Sequence, residues 1–524
     1  MVSQETLTKT LKCGWLLAFF RGVGTRMIAK KRIAGLTLVS ALLFSTVAAA
    51  MLFGTVQAAT EVAGIITSDT TWTRANSPYD LTGNVLVEIG VTLTIEADTT
   101  VNFNDYYLRV NGSLTVQPGV ILNIETVIGD GSIQVNGVMT LRGTSTNPIY
   151  VNGVAHYYDT TAPIPPSRSS IVFSHSSAGW NEQTGSGCFI ENAIFNSTGV
   201  RVGSSVKITN NKLIDGGLSV SAGSSVISQN SLSSLGIGGG SPAISANTIS
   251  GPITISGGSP AIYSNVITGY ISITGGSSNI ADNRIVGGFI KFYAEGKKGV
   301  TATIINNNIS STESSIGNDS GIRLTGNWGT DGYVLVERNS ITGCSKAVEI
   351  IQYQYAGITT AFTIQKNTIT NNDVGISIKA PYYCAPTISY NNIYSNNVSL
   401  SLSGTSFDID ATNNWWGTTD TSAIDDLIYD FYDGDFDLGK VNYTPFLTEA
   451  DPLAMPDPNA PIPSFDTSTL PSQTSTPDAT PPPSTTPDQN AQQAEQLIVV
   501  AGLAITIIVI CTGLGLLIYI IKKK

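Results

Sequence analysis

Asn192-Ala-Ile194, Asn211-Lys-Leu213, Asn230-Ser-Leu232, Asn247-Thr-Ile249, Asn265-Val-Ile267 and Asn283-Arg-Ile285 repeat one pattern, an asparagine followed two residues later by an aliphatic. The steps between these asparagines are 19, 19, 17, 18 and 18 residues. A fixed period of this size marks a solenoid, whose units bury their apolar faces only against one another. Inside one unit, Ile253 to Gly269 reads ITIS, GGSP, AIYS, NVI, TG. Short runs with alternating apolar residues (Ile253 and Ile255; Ile262 between Ala261 and Tyr263) are parted by Gly, Ser, Pro and Asn, which supply turns. From about Val85 to Thr412 no apolar run of helical period exceeds two turns.

Strands this short suit a parallel β-solenoid, in which each rung hydrogen-bonds to the next. The asparagines are then expected at one corner of every rung, stacked as a ladder whose amides satisfy one another. Asn is also a common turn residue, but that alone does not explain a constant offset from an aliphatic. The pattern continues at Asn307, Asn339, Asn367, Asn391 and Asn413 with steps of 24, 32, 28, 24 and 22. Those wider steps predict loops inserted on the same frame, with room for an extra rung in the widest.

Tyr79-Asp-Leu-Thr-Gly83, Gly90-Val-Thr-Leu-Thr-Ile-Glu96, Leu108-Arg-Val-Asn-Gly-Ser-Leu114 and Asn147-Pro-Ile-Tyr-Val151 resemble the first rungs of right-handed parallel β-helix surface proteins. Asn413-Asn-Trp-Trp-Gly417, with Ile424, Asp430, Gly439, Val441 and Pro445, is similar to the last rung and cap of the same group. That group is the pectate-lyase-like and NosD-like β-helix type of archaea and bacteria. The resemblance spans Tyr79 to Leu447 and implies an all-β, single-stranded right-handed parallel β-helix. It implies little about activity, because the shared motifs are structural.

The two ends predict topology. Residues 1–58 read as a signal segment: Lys30-Lys31-Arg32, an apolar run from Ile33 to Phe53, then the small-x-small Val56-Gln57-Ala58. Residues 59–447 are the expected β-helix ectodomain. Residues 448–496, rich in Pro, Ser, Thr and Asp, have little to bury and read as a disordered stalk. Leu497 to Ile521 is 25 residues without a charge, the length of a transmembrane helix. Lys522-Lys523-Lys524 follows as a cytoplasmic tail by the positive-inside rule. The expected location is therefore the cell surface, with the N-terminal domain outside. The arrangement resembles archaeal surface proteins anchored through a surface layer.

Without residues 1–58 and the three terminal lysines, the chain carries 17 Lys and Arg against 37 Asp and Glu, a net of −20. Such a surface repels nucleic acid and fits a wall environment. Cys188, Cys344 and Cys384 are the cysteines outside the two ends. Their odd count argues against a disulfide framework, with Cys344 and Cys384 the nearer pair. Sequons at Asn111, Asn196, Asn308, Asn318, Asn397 and Asn442 are N-glycosylation candidates wherever they face solvent.

Chemistry is harder to find. A hydrolase needs paired carboxylates, and a lyase needs calcium and a base, at one corner of adjacent rungs. From Val202 to Gly269 the only charges are Lys207, Lys212 and Asp215, so that half reads as inert. Asp282, Arg284, Lys291, Glu295, Lys297 and Lys298 form a local charged group that reads as solvated surface. His156 and His175 lack a third ligand for a metal. Asp433, Asp435 and Asp437, followed by Gly439, have the alternation of a calcium loop but lack the bidentate Glu and coincide with the cap. No cofactor is expected apart from calcium there. Aromatics in the wide rungs, Trp328, Tyr333, Tyr353, Tyr355, Tyr382 and Tyr383, are the candidate glycan contacts, set in loops on a rigid scaffold. Trp415 and Trp416 belong to the last core layer and cap.

The expectation is thus an anchored, non-catalytic surface protein. It acts in binding or adhesion, or as an envelope component, with polysaccharide, glycan or surface-layer partners. The competing expectation is an exterior polysaccharide lyase or glycoside hydrolase.

Overall fold

The computed structural model describes residues 58–124, 133–153, 170–293, 296, 297, 299–311, 320–326, 331–352, 359–381 and 386–457. Nearly every element is a strand, and nearly every pairing is parallel. The rung around Asn265 shows the plan. Thr248–Ile249, Ile253–Ile255 and Ala261–Tyr263 form three walls, and the next circuit begins at Val266–Ile267. We call these walls 1, 2 and 3. Each strand pairs in parallel with its counterpart one rung on: Thr248 with Val266, Ile253 with Ile271, Ala261 with Asn279. Wall 3 is a sheet of 14 strands, while walls 1 and 2 are joined because Tyr79–Val87 runs across both. Fourteen strands spaced about 4.8 Å apart make a stack on the order of 60 Å long.

The alternation read from the sequence is what closes the core. Ile253, Ile255, Ile262, Ile267, Ile271, Ile273, Ile280 and Ile285 are all 0% exposed, one column per inward position. Each contributes about 1.5–3 kcal/mol by leaving water. From Thr248 to Ile273 the strands are two or three residues long, so only one or two side chains per strand point inward.

The wall 3 to wall 1 corner is a two-residue device. Its first residue takes the left-handed conformation: Asn210, Gln229, Ala246, Ser264 and Asp282 have φ between 55° and 58°. Its second is the ladder asparagine. Asn265 Nδ2 donates to Asn283 Oδ1 at 3.0 Å and to Ile244 O at 3.0 Å. Its Oδ1 accepts from the backbone N–H of Asn247 at 2.9 Å and from Asn247 Nδ2 at 3.0 Å. The ladder runs through Asn211, Asn230, Asn247, Asn265, Asn283, Asn307, Asn339, Asn367 and Asn391 to Asn414.

Both ends of the ladder differ from the sequence expectation by one residue. Asn192 (φ 51°) occupies the left-handed corner position, and Ala193 sits where the ladder asparagine would be. Phe195, not Ile194, is the inward residue there. Asn413 (φ 60°) is likewise the corner residue, and Asn414 carries the ladder. The step of 32 residues holds no extra rung, since Asn307 bonds Asn339 directly at 3.0 Å. Part of the added length goes into strands: Ser320–Gly326 and Asp331–Glu337 in that step, and Lys346–Gln352 and Thr359–Gln365 in the next, each have 7 residues.

A second, shorter ladder lies at the wall 1 to wall 2 corner. Asn372 N–H and Nδ2 both donate to Asn396 Oδ1 at 3.0 Å, and Cys344 N–H donates to Asn372 Oδ1 at 2.9 Å. An outward row on wall 1 links Asp80, Asn102, Asn123, Asn152 and Asn196 through their side chains.

The end cap pairs Ile409–Asp410 with Val441–Asn442 and contains the helix Thr421–Asp425. Trp416 is buried there, while Trp415 is half-buried and pairs outward with Asn392. Beyond the cap the chain turns back along the outside of wall 1. Asp451 and Asn392 exchange two bonds of 2.8 and 2.9 Å, Thr368 Oγ1 donates to Ala454 O, and Asn306 Nδ2 donates to Asp457 O at 3.3 Å. Residues 451–457, read in the sequence as the start of the stalk, thus strap the last rungs together lengthwise.

Residues 1–57 and 458–524 lie outside the described residues, and with them the signal segment, most of the stalk and the apolar run Leu497–Ile521. Among the described residues no helix is long and apolar enough to cross a membrane.

Candidate functional site on wall 2

Alternation puts every second side chain of a wall outside, and parallel pairing without slippage stacks those side chains in files. On wall 2 one file runs Arg109, Gln134, Val172, Arg201, Ser219, Gly236, Thr254, Ser272, Lys291, Arg323, Glu349, Ser377, Ser401 and Tyr429, each paired with the next. From Leu108 on, the strands of this wall carry six cations, Arg109, Arg201, Lys291, Arg323, Lys346 and Lys379, and one carboxylate, Glu349. On a chain of net charge −11 this wall is a basic stripe.

Its middle is a trough of about 330 Å³. The floor is low because Gly199, Gly217 and Gly236 present no side chain, and Arg201, Ser219 and Thr254 flank it. Ser170, 1% exposed, lines one end, and its hydroxyl has no hydrogen-bond partner. Past the other end Tyr270 and Phe289 stack, ring centroids 5.2 Å apart and planes within 13°. They stand one rung apart, immediately before paired residues Ile271 and Ile290. Tyr270 remains 38% exposed, so its ring offers an apolar surface to a ligand.

Further along, the file becomes charged. Glu349, 4% exposed, accepts from Arg323 Nε at 2.6 Å, Lys346 Nζ at 2.6 Å and Ser320 Oγ at 2.7 Å. Burial pushes its carboxyl upward, but the bonds from Lys346 and Ser320 and the nearby guanidinium outweigh that and hold it below the ordinary glutamate value. Lys291 stands over the Tyr293 ring at 4.9 Å.

Of the aromatic glycan candidates, only Tyr333 falls among the described residues. It is 39% exposed but lies on wall 3, paired with Thr301 and Ala361. Trp328, Tyr353, Tyr355, Tyr382 and Tyr383 lie outside the described residues. Tyr270 and Phe289 escaped the sequence reading because 19 residues part them, and only a one-rung period makes them neighbours.

The charged group does not gather. Asp282 is a corner residue, Arg284 is on wall 1, Lys291 is on wall 2, and Lys297 donates to Ser256 O at 3.2 Å. Glu295, Lys298 and His156 lie outside the described residues, and His175 is exposed in the loop after Ser170–Phe173.

The acidic end forms a cleft of about 440 Å³ lined by Asp425, Asp426, Asp430 and Asp433 among others. Asp430 accepts from the N–H groups of Tyr432 (2.9 Å) and Val441 (2.7 Å), and Asp433 accepts from Asp430 N–H at 2.8 Å. Asp435 accepts from Asp437 N–H at 3.4 Å, so these side chains cap turns. Among the described residues no three metal-ligating side chains converge.

Cys188 and Cys344 are buried free thiols, and Cys384 lies outside the described residues. Of the sequons, Asn308, Asn397 and Asn442 are exposed. Asn196 is half-buried and its amide donates to Asn152 at 2.8 Å, while Asn111 is half-buried and accepts from Asn136 at 2.9 Å. Asn318 lies outside the described residues.

Comparison with family models, curated proteins and solved structures gives no match.

Proposed function

We propose that this protein is a right-handed β-helix of the pectate-lyase-like and NosD-like kind, held at the cell surface by its C-terminal apolar run, that binds polysaccharide without cleaving it. The observation that carries this reading is the unbroken outward file of wall 2. A chain lying along the solenoid meets hydroxyls, a glycine-floored trough, the Tyr270–Phe289 stack and a run of cations in succession. The excess of cations over carboxylates favours an anionic polysaccharide. The Pro/Ser/Thr stalk, the uncharged run Leu497–Ile521 and the terminal lysines support the surface location. Lyase or hydrolase activity is the second reading, and the acidic cleft of Asp425, Asp426, Asp430 and Asp433 is where it would reside.

The test is a polysaccharide array probed with the full chain, with and without calcium, while released products are assayed. Saturable retention without products is expected, and Tyr270→Ala combined with Lys291→Ala should lower it about tenfold. Equal retention by that double variant would remove wall 2 from the reading. Product release would replace binding with catalysis.

A further inference from the structure

From Asn210-Asn211 onward the wall 3 to wall 1 corner takes two residues, but the corner after Val138–Arg142 is the longer Gly143-Thr-Ser-Thr-Asn-Pro148. A Thr144–Asn147 turn folds this insertion, and Asn147 Nδ2 fastens it to Asp98 at 3.0 Å. Beside it opens a cleft of about 660 Å³. Pro118 and the outward Thr115 supply the less polar wall, while Arg142, Glu191, Thr144 and Asn210 line the polar side. The cleft lies on a different side of the solenoid from the wall 2 file.

Its polar side is preset. The Arg142 guanidinium stands over the Phe189 ring at 4.4 Å, and Trp180 buttresses that ring edge-on at 5.4 Å. Arg142 Nε lies 3.7 Å from Glu191 Oε2, so a planar donor and an acceptor stand side by side. The Arg142 side chain is 63% exposed, which leaves donors for a ligand. Asn210 is exposed in the left-handed corner position one rung on.

We propose that this cleft binds a single neutral pyranose residue. Vicinal hydroxyls each donate and accept, which matches adjacent guanidinium and carboxylate groups. The C–H face of the ring would lie on Pro118. A free anion is disfavoured by the Glu191 carboxylate. This site stands independently of wall 2, where the trough, the cations and the aromatic stack form a separate surface.

The test is saturation-transfer NMR on the full chain in detergent, with methyl glycosides of glucose, galactose, mannose and N-acetylglucosamine as probes. At least one should give saturable transfer with Kd on the order of 1 mM, as expected for so small a ligand. Arg142→Ala, Glu191→Gln and Asn210→Gly should each weaken it about five- to tenfold. The isosteric Glu191→Gln and the corner-compatible Asn210→Gly keep the test valid if Arg142→Ala unfolds. Leu453→Ala, an exposed position on the strap outside both surfaces, should leave the signal unchanged. Absence of saturable transfer with every probe, or transfer insensitive to the three cleft variants, overturns the proposal. Loss on Tyr270→Ala alone would also overturn it, by moving the sugar to wall 2.

Discussion

Asn265→Ala tests how much the ladder holds. Asn265 is 1% exposed, so water does not replace what its side chain provides. Its removal orphans the backbone N–H of Asn247, one Nδ2 hydrogen of Asn247 and the carbonyl of Ile244. A buried polar group left unsatisfied costs about 1–3 kcal/mol, so three give about 3–6 kcal/mol after partial relaxation. The loss is local because a solenoid rung contacts only its neighbours. Urea denaturation followed by circular dichroism reads the total. Hydrogen exchange reads the site, and the Asn247 amide should lose protection while amides several rungs away keep theirs. Asn192→Gly is the control. It keeps a left-handed corner and removes one half-buried bond to Gly143 O at 3.2 Å, so about 1 kcal/mol or less is expected. Equal costs for the two variants, or an unchanged Asn247 amide, would refute the ladder as a stabilising device.

The strap predicts that Asn392→Ala, which removes two bonds to Asp451, costs about 1–2 kcal/mol and speeds proteolysis around the exposed Leu453 and Met455 about tenfold. Unchanged cleavage would mean that Asn392 does not hold the strap. Because the Glu349 pKa is depressed in the folded state, its contribution is present above the unfolded value and is lost as pH falls through the folded one. Thermal melts should therefore decline more steeply on acidification below the ordinary value of 4.5 for the native protein than for Glu349→Gln, and parallel declines would contradict this. Burial pushes the Cys344 thiol up to about 11, so iodoacetamide at pH 8 should spare it in the native protein and label it in urea. Rapid native labelling would place it at the surface.

The solenoid was legible in the sequence because its period is imposed residue by residue. Each rung must return to the same corner, and the buried corner position selects an amide that bonds its own kind. The aliphatic two residues later marks the first inward position of wall 1. That rule misplaced the ends of the ladder for an evident reason. Asn serves both the left-handed corner residue and the ladder residue beside it, so Asn192 and Asn413 look like ladder members until backbone pairing fixes the register. The shorter ladder of Asn372 and Asn396 went unread because it repeats only once, at a step of 24 residues.

Alone, the sequence determined the class of fold, the corner chemistry and the inward isoleucines, since all three follow from local periodicity and turn propensity. Tertiary structure decided which distant residues share a surface. Tyr270 and Phe289, Arg323 and Glu349, or Arg142 and Glu191 become partners only when the length of each circuit is known. Variable corners and loops change that length from rung to rung. Only the backbone pairing of one rung on the next brings those side chains into register.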